Sequence, residues 1–329
     1  MTDRPTVVVT RRLPREVEEE LTRDFEVRLN RDDRPLGPAG LQDALRTADA
    51  LLCTVTDRLS AEVLEVEPLR ARLLANFGVG FNNIDTGAAK SRGLSVSNTP
   101  DVLTDATADL AMTLLLMVTR RTGEGERHVR SKAWTGWRPT HMLGTQVSGK
   151  TLGLVGMGRI ARAVAQRAHG GFGLKVIYHD PFPPPSEVAA ALGAEPRASL
   201  EEVLREADFV SLHCPAMPET RHLMNRERLA LMRPEAFLIN TARGDVVDEA
   251  ALVEALQAKR IAGAGLDVYE REPEITAALL AMENVVLLPH LGSATLETRT
   301  AMGMRAVENL RAFFHTGKAL DPVVPQPSP

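Results

Sequence analysis

Three ionisable residues with complementary chemistry follow strand-like apolar runs in the second half of the chain. Arg243 follows Phe-Leu-Ile-Asn-Thr-Ala, Glu272 follows Gly-Leu-Asp-Val-Tyr-Glu-Arg, and His290 follows Val-Val-Leu-Leu-Pro. A guanidinium can grip a carboxylate and polarise a carbonyl group, and a histidine can exchange a proton near neutral pH. A carboxylate beside the histidine would favour the imidazolium. These residue types suit reduction of a 2-keto acid, or the reverse oxidation, if the fold brings them together.

A glycine-rich segment between a strand-like run and a helical stretch predicts a dinucleotide site. The segment reads Gly-x-Gly-x-x-Ala: Gly156 permits a tight turn, Gly158 lets the backbone approach a pyrophosphate, and Ala161 lets the helix pack closely on the strand. Backbone N–H groups at the start of that helix, at Arg159 and Ile160, would face the phosphates. The flanking strand and helix make this pattern more specific than a glycine-rich turn alone.

Asp180 follows the next strand-like run, about 24 residues after Gly156, where an acidic side chain binds the adenosine ribose hydroxyls. Its charge would repel a 2′-phosphate, so Asp180 favours NAD(H). NADP(H) stays open, because Arg159 could partly compensate. The alternative role for Asp180 is a cap on the turn before Pro181.

To position these residues, the chain needs parallel strands, and its alternation of apolar runs with helical stretches predicts them. At 329 residues, two domains are expected. We expect an α/β protein with a Rossmann-type doubly wound parallel sheet for the dinucleotide, over residues 100–290, and a smaller flavodoxin-like α/β substrate domain, over residues 1–99 plus 291–329. Eleven strands are predicted, six of them in the larger domain: Thr6–Thr10, Glu26–Leu29, Ala50–Val55, Leu73–Asn76, Leu94–Ser97, Thr151–Val155, Leu174–Tyr178, Phe209–Leu212, Phe237–Asn240, Ala262–Leu266 and Val285–Leu288.

Composition excludes several other classes of protein. The 39 basic residues are scattered among 43 acidic ones, for a net charge of -4, so no basic stripe exists for nucleic acid. The longest apolar stretch, Leu110–Val118, is about half of a membrane span. Cys53 and Cys214 are far apart and lack metal-ligand spacing, so no metal site and a reducing compartment are expected. Without a secretory signal in the first residues, a cytoplasmic location is expected.

The chain resembles the D-isomer-specific 2-hydroxyacid dehydrogenase family nearly end to end. Arg243 in Asn-Thr-Ala-Arg-Gly-Asp, Glu272 in Leu-Asp-Val-Tyr-Glu-Arg-Glu-Pro and His290 in Leu-Pro-His-Leu-Gly-Ser-Ala-Thr stand where the family keeps its catalytic Arg, Glu and His. The resemblance implies that Val79 and Gly80, in Asn-Phe-Gly-Val-Gly-Phe-Asn-Asn-Ile-Asp, bind the substrate carboxylate through their N–H groups. A glycine-rich turn without a ligand is the alternative.

Within the family, the segments Asn-Thr-Pro-Asp-Val-Leu-Thr and Trp-Thr-Gly-Trp-Arg-Pro are most similar to glyoxylate and hydroxypyruvate reductases, the D-glycerate dehydrogenases. This resemblance implies a homodimer in which Trp137 reaches the other subunit's active site and limits substrate size; a Trp pair packed under a loop is the alternative. It also implies that Asp267 holds the nicotinamide carboxamide and that Cys214, Pro215 and Thr220 line the adenine pocket. The other expected cofactor contacts are Thr107, Thr241, Ala242 and Ser293.

Other functions remain open on the same fold. The substrate could instead be that of a 2-ketogluconate, D-lactate or phosphoglycerate type of D-2-hydroxyacid dehydrogenase. Formate and phosphite dehydrogenases share the superfamily, but Glu272 argues against formate oxidation, which releases no hydroxyl proton. A protein that senses NADH without turnover is the alternative from another class.

Overall fold

The computed structural model describes residues 4–323 and contains twelve strands in two parallel sheets within that range. In chain order the strands are β1 Thr6–Val9, β2 Glu26–Leu29, β3 Ala50–Thr54, β4 Leu73–Phe77, β5 Ser95–Ser97, β6 Thr151–Val155, β7 Lys175–His179, β8 Ala194–Pro196, β9 Phe209–Leu212, β10 Phe237–Asn240, β11 Gly263–Leu266 and β12 Val285–Leu287. Eleven of these overlap the predicted runs. The additional strand, β8, makes the larger sheet seven-stranded rather than six-stranded.

The α-helices alternate with the strands, as parallel sheets require. In chain order they are α1 Arg15–Asp24, α2 Pro38–Thr47, α3 Ala61–Leu64, α4 Thr86–Ser91, α5 Thr104–Thr119, α6 Thr122–Arg130, α7 Arg159–Phe172, α8 Ser186–Ala191, α9 Leu200–Glu206, α10 Arg226–Leu229, α11 Glu249–Gln257, α12 Ala277–Leu280 and α13 Leu296–Thr316. No helix within residues 4–323 has the length and apolar character that crossing a membrane demands.

The chain divides into two compact units. One comprises the residues up to Leu103 together with those from Ala294 onward, and the other runs from Thr104 to Ser293. The first unit carries a sheet of order β2-β1-β3-β4-β5, which is the flavodoxin-like order. Helix α13 packs on α1 and β4 of this unit, where a Cβ at Gly303 would overlap the side chain of Val17.

The second unit carries a parallel sheet of strand order β12-β11-β10-β9-β6-β7-β8. Strands β6, β7 and β8 follow one another toward one edge of this sheet, and β9 to β12 follow one another toward the other edge. This is the Rossmann arrangement, and ligands of such sheets bind beyond the strand carboxyl ends where the order reverses. The reversal lies between β6 and β9, which are hydrogen-bonded neighbours. The expected α/β fold is confirmed, and the glycine-rich motif follows one of the two strands at the reversal.

Candidate active site

Arg243 lies in a sharp turn that begins where β10 ends. The side chain of Asn240 shapes this turn: its amide nitrogen donates to the carbonyl of Arg243 at 2.9 Å, and its amide oxygen accepts the N–H of Ala242 at 3.0 Å. Burial lowers the pKa of Arg243, whereas the charges of Glu272 and Asp245 act to raise it. A half-buried cation with acidic neighbours is therefore present at the end of a central strand.

His290 and Glu272 form a hydrogen-bonded pair. The Nδ1 atom of His290 lies 2.8 Å from Oε2 of Glu272, and each side chain is 35% exposed. Burial acts to raise the pKa of Glu272, but hydrogen bonds from His290 and from the N–H of Tyr269, with the charge of Arg243, outweigh it and hold the pKa below the ordinary value. Glu272 is therefore a carboxylate at neutral pH, and Nε2 of His290 is left for a reacting group.

The turn carrying Glu272 packs directly on the turn carrying Arg243. A Cβ at Gly244 would overlap the backbone of Tyr269 and Glu270, so only glycine allows this approach. On the other side, Tyr269 donates its hydroxyl to the carbonyl of Leu288 at 2.8 Å, close to the segment that carries His290. The backbone thus brings Arg243, Glu272 and His290 into one region of the second unit.

Asp267 anchors the segment after His290. The residue is 1% exposed; its carboxylate accepts the N–H groups of Leu291 at 2.6 Å and Gly292 at 2.8 Å, and its carbonyl accepts the N–H of His290 at 2.9 Å. Burial raises the pKa of Asp267, and these N–H groups and the charge of His290 oppose that rise. Thr107 donates to the carbonyl of Gly292 at 3.1 Å. Thr107 and Asp267, two of the expected cofactor contacts, therefore both bind Gly292.

The glycine-rich turn has the geometry expected of a phosphate-binding loop. Gly156 has a φ of +91°, and a Cβ there would lie 3.1 Å from the backbone of His213. Gly158 caps the start of α7 in an exposed position where a Cβ would meet nothing within 4 Å, and Arg159, the first residue of the helix, is also exposed. Ile160 packs against the core of the second unit. The start of α7 is thus open to a ligand.

Asp180 has a structural role in addition to any contact with a cofactor. Its two carboxylate oxygens accept the N–H of Met157 and the N–H of Phe182, each at 2.7 Å. The first bond ties Asp180 to the glycine-rich turn, and the second caps the turn after β7. Each carboxylate oxygen can accept further hydrogen bonds, so a ribose contact is compatible with this arrangement.

The segment after β9 contains the residues expected near adenine. Cys214 is partly buried, and burial raises the pKa of its thiol to about 11, so it is not a reactive thiolate. Thr220 donates its hydroxyl to the carbonyl of Pro215 at 2.6 Å, which closes the loop. Thr241, after β10, has a buried hydroxyl with no partner among residues 4–323, as expected for a residue that contacts a ligand.

In the first unit, the loop after β4 carries the N–H groups of Val79 and Gly80. The carbonyl of Gly78 accepts from the amide of Asn76 at 3.3 Å and from the N–H of Thr99 at 3.1 Å, and the carbonyl of Val79 accepts from the amide of Asn98 at 2.8 Å. The N–H groups of Val79 and Gly80 donate to no group in the described part of the chain. Adjacent free N–H groups of this kind can bind an anion.

Trp137 lies in an irregular segment of the second unit, between α6 and β6, and is 81% exposed. Trp134 is 53% exposed, so the two tryptophans are not packed under a loop. Val129 and Leu143, which flank them, are 58% and 66% exposed. Four large apolar side chains are thus exposed within this stretch of the second unit.

Several residues that shape the site were not singled out from the sequence. They include Asn240, Gly244 and Tyr269, and also Glu249, whose carboxylate accepts the N–H of Glu270 at 2.7 Å and the hydroxyl of Thr276 at 2.6 Å. A signal existed for two of them, since Asn240 and Gly244 flank Arg243 in the quoted motif. The contacts of Tyr269 and Glu249 depend on tertiary structure.

A Rossmann sheet with an open glycine-rich turn and an Arg, Glu and His constellation defines a class, the nicotinamide-dinucleotide-dependent oxidoreductases. The family model of the D-isomer specific 2-hydroxyacid dehydrogenase, NAD binding domain, matches residues 112–292. The chain belongs to this family and is an NAD(P)-dependent oxidoreductase that reduces 2-keto acids to 2-hydroxy acids.

Individual relatives agree with that assignment over nearly the whole chain. A glyoxylate reductase of Thermococcus kodakarensis is 47% identical over 94% of this chain and 93% of its own length, and one of Pyrococcus furiosus is 45% identical over 94% and 92%. The structure of an NADPH-dependent glyoxylate/hydroxypyruvate reductase from Sinorhizobium meliloti, in complex with NADP and malonate, superposes with a TM-score of 0.86. It is 38% identical and covers 97% of both chains.

Proposed function

We propose that this protein uses NAD(P)H to reduce glyoxylate to glycolate and hydroxypyruvate to D-glycerate. The observation that carries the proposal is the 2.8 Å hydrogen bond between His290 and Glu272 in the region that Arg243 also occupies. A carboxylate in this pair suits a reaction in which a hydroxyl oxygen gains or loses a proton. The names of the relatives given above support glyoxylate and hydroxypyruvate as substrates.

The residues of the second unit fit a nicotinamide dinucleotide. When bound, this cofactor supplies or accepts the hydride. The turn from Gly156 to Ile160 would hold the pyrophosphate, Asp180 the adenosine ribose, and Asp267 the nicotinamide carboxamide. The Thr241 hydroxyl, which has no partner among residues 4–323, and the open position at Gly158 support this assignment. We assign residues 100–290 to cofactor binding, and residues 1–99 plus 291–329 to substrate binding. The remaining proposed cofactor contacts are Thr107, Cys214, Pro215, Thr220, Ala242 and Ser293.

The proposed roles of the reacting residues follow from their charges. Arg243 polarises the substrate carbonyl and stabilises the negative charge that develops on its oxygen. His290 gives the proton on Nε2 to that oxygen, and Glu272, bonded to Nδ1, stabilises the imidazolium before transfer. In oxidation, neutral His290 takes the proton from the hydroxyl group. The N–H groups of Val79 and Gly80 bind the substrate carboxylate.

The proposal is tested by measuring steady-state turnover of glyoxylate, hydroxypyruvate, pyruvate and 2-ketogluconate with NADH and with NADPH. We expect the highest kcat/KM with glyoxylate or hydroxypyruvate. A higher kcat/KM with pyruvate or 2-ketogluconate would contradict the proposed substrates but not the proposed type of reaction. Tight NADH binding without turnover of any of the four would identify a sensor.

Asp180→Ala is expected to weaken NADH binding more than NADPH binding. Its charge disfavours a 2′-phosphate, so removing it relieves that repulsion while the ribose hydroxyls of NADH lose an acceptor. We expect the ratio of the NADH Kd to the NADPH Kd to rise about tenfold, which corresponds to about 1.4 kcal/mol. Fluorescence titration gives both constants.

Asp180→Asn is the matched variant, because it keeps an oxygen that can accept the N–H of Met157. It should shift the ratio in the same direction with less loss of overall affinity. If both Kd values rise equally in both variants, Asp180 only holds the turn and does not select the cofactor.

We propose a homodimer in which Trp137 of each subunit reaches the partner's active site, a surface role that its 81% exposure supports. Trp137→Ala should then raise kcat/KM for 2-ketogluconate relative to glyoxylate by about tenfold, within the range for removing bulk from a binding pocket. Trp134→Ala is the control. A monomer by sedimentation at assay concentration, or equal effects of the two substitutions, would contradict this role.

A further inference from the structure

The amide group of Asn76 is fully used within the first unit. Its nitrogen donates to the carbonyls of Gly78 at 3.3 Å and Gly80 at 3.0 Å, and its oxygen lies 3.3 Å from the amide nitrogen of Asn83. Asn76 is 1% exposed at the end of β4, so it cannot itself contact a substrate in solvent. Because donors and acceptors differ on its two sides, only one orientation of this amide satisfies its neighbours.

Peptide geometry links Asn76 to the free N–H groups of the loop. In a planar trans peptide, the carbonyl of one residue and the N–H of the next point in opposite directions. A donor that holds the carbonyl of Gly78 inward therefore turns the N–H of Val79 outward. The bond from Asn98 to the carbonyl of Val79 does the same for the N–H of Gly80.

A buried network of hydrogen bonds holds Asn76 in place. The amide nitrogen of Asn83 also donates to the carbonyls of Thr54 at 3.0 Å and Asp57 at 3.2 Å, which ties the loop to the turn after β3. Asp57 is fully buried and accepts the N–H of Thr54 at 2.7 Å and the hydroxyl of Thr10. This network fixes the peptide units of the loop before any ligand binds.

We propose that Asn76 is a positioning residue for the substrate carboxylate, acting through the peptide unit that presents the N–H group of Val79, beside the N–H group of Gly80 that Asn98 orients. This inference rests on the proposed role of that loop in carboxylate binding. The loop holds the carboxylate equally in the ground state and the transition state, since the carboxylate does not react. Disturbing Asn76 should therefore raise KM with little change in kcat.

Asn76→Asp tests the proposal, because it keeps the shape of the side chain but places an acceptor against two carbonyls. We expect KM for hydroxypyruvate to rise about 10- to 100-fold, as expected for losing a charge-assisted hydrogen bond, while kcat falls less than about fivefold and the NADH Kd is unchanged. Acidification should narrow the KM gap to wild type, since the introduced carboxyl group regains one donor when it is protonated. A purely structural role would instead lower kcat and weaken NADH binding along with the rise in KM.

Asn30→Asp is the matched control. The amide of Asn30 also donates to two carbonyls of the first unit, those of Thr10 at 2.7 Å and Arg34 at 2.6 Å, but not to the Gly78–Gly80 loop. We expect its KM to match that of wild type. If Asn76→Asp does not fold, Asn76→Ser adds no charge and should still raise KM about tenfold through the lost amide bonds.

The outcomes separate this inference from the proposed function. Active wild type with unchanged KM in the Asn76 variants, or a fall in kcat at constant KM, overturns the role of Asn76 alone. Wild type that turns over no 2-keto acid overturns the function and this inference together. A KM rise in the Asn76 variants but not in Asn30→Asp supports both.

Discussion

Arg243→Ala is expected to lower kcat/KM for glyoxylate about 10³-fold, the upper range for removing a group that stabilises a developing oxyanion. Arg243 lies at the end of β10, where the charges of Glu272 and Asp245 act on it, and its main chain is fixed by Asn240. The loss should appear in kcat as well as in KM, because the developing charge exists only in the transition state.

Arg243→Lys separates charge from geometry. Lysine keeps the positive charge but lacks the planar pair of donors, so we expect a loss of about 10²-fold rather than full activity. Arg260→Ala, an exposed arginine in the same unit, is the control and should retain activity. NADH affinity should change less than about threefold in each variant. Full activity of Arg243→Lys, or loss of NADH binding in step with turnover, would refute the assigned role.

His290→Ala should lower kcat by about 10² to 10⁴, the contribution of a positioned general acid. The hydrogen bond between Nδ1 and Glu272 orients the imidazole ring. The backbone N–H of His290 donates to the carbonyl of Asp267, and this bond fixes the backbone of His290. NADH binding should survive, because His290 is assigned to the substrate. Pre-steady-state measurement of NADH oxidation shows whether the loss lies in the chemical step.

Glu272→Gln gives the corresponding pH dependence. His290, Tyr269 and Arg243 hold the pKa of Glu272 below its ordinary value. The negative charge of Glu272 therefore persists through neutral pH and is lost only at a pH below that at which a glutamate ordinarily becomes protonated. The amide removes that charge at every pH. We expect the pH above which reduction declines to move downward in Glu272→Gln. An unchanged pH profile would show that Glu272 does not stabilise the proton on His290.

The sequence was sufficient for the elements whose side chains follow a strict pattern. The strands with apolar runs and the turn at Gly156 could be predicted because burial and a positive φ leave few residue types. Strand β8 was missed because its three residues are Ala-Glu-Pro and two of them are exposed, so no apolar run marks it.

The ionisable residues of the candidate site could be singled out from the sequence, but the hydrogen bonds that support them could not. Arg243, Glu272 and His290 have chemistry that their residue types reveal. The bond from Met157 to Asp180 and the amide network of Asn76 join atoms whose partners are set by tertiary folding. A residue type alone does not show which backbone group its amide or carboxylate will meet.

The proposed reaction is tested by measuring its stoichiometry and the configuration of its product. Hydroxypyruvate and NADH are incubated with the protein, and the NAD⁺ formed is compared with the glycerate formed, resolved by chiral chromatography. We expect one D-glycerate for each NADH oxidised, and no reaction with His290→Ala on the same timescale. L-glycerate, or NADH that binds and stays unoxidised, would contradict it.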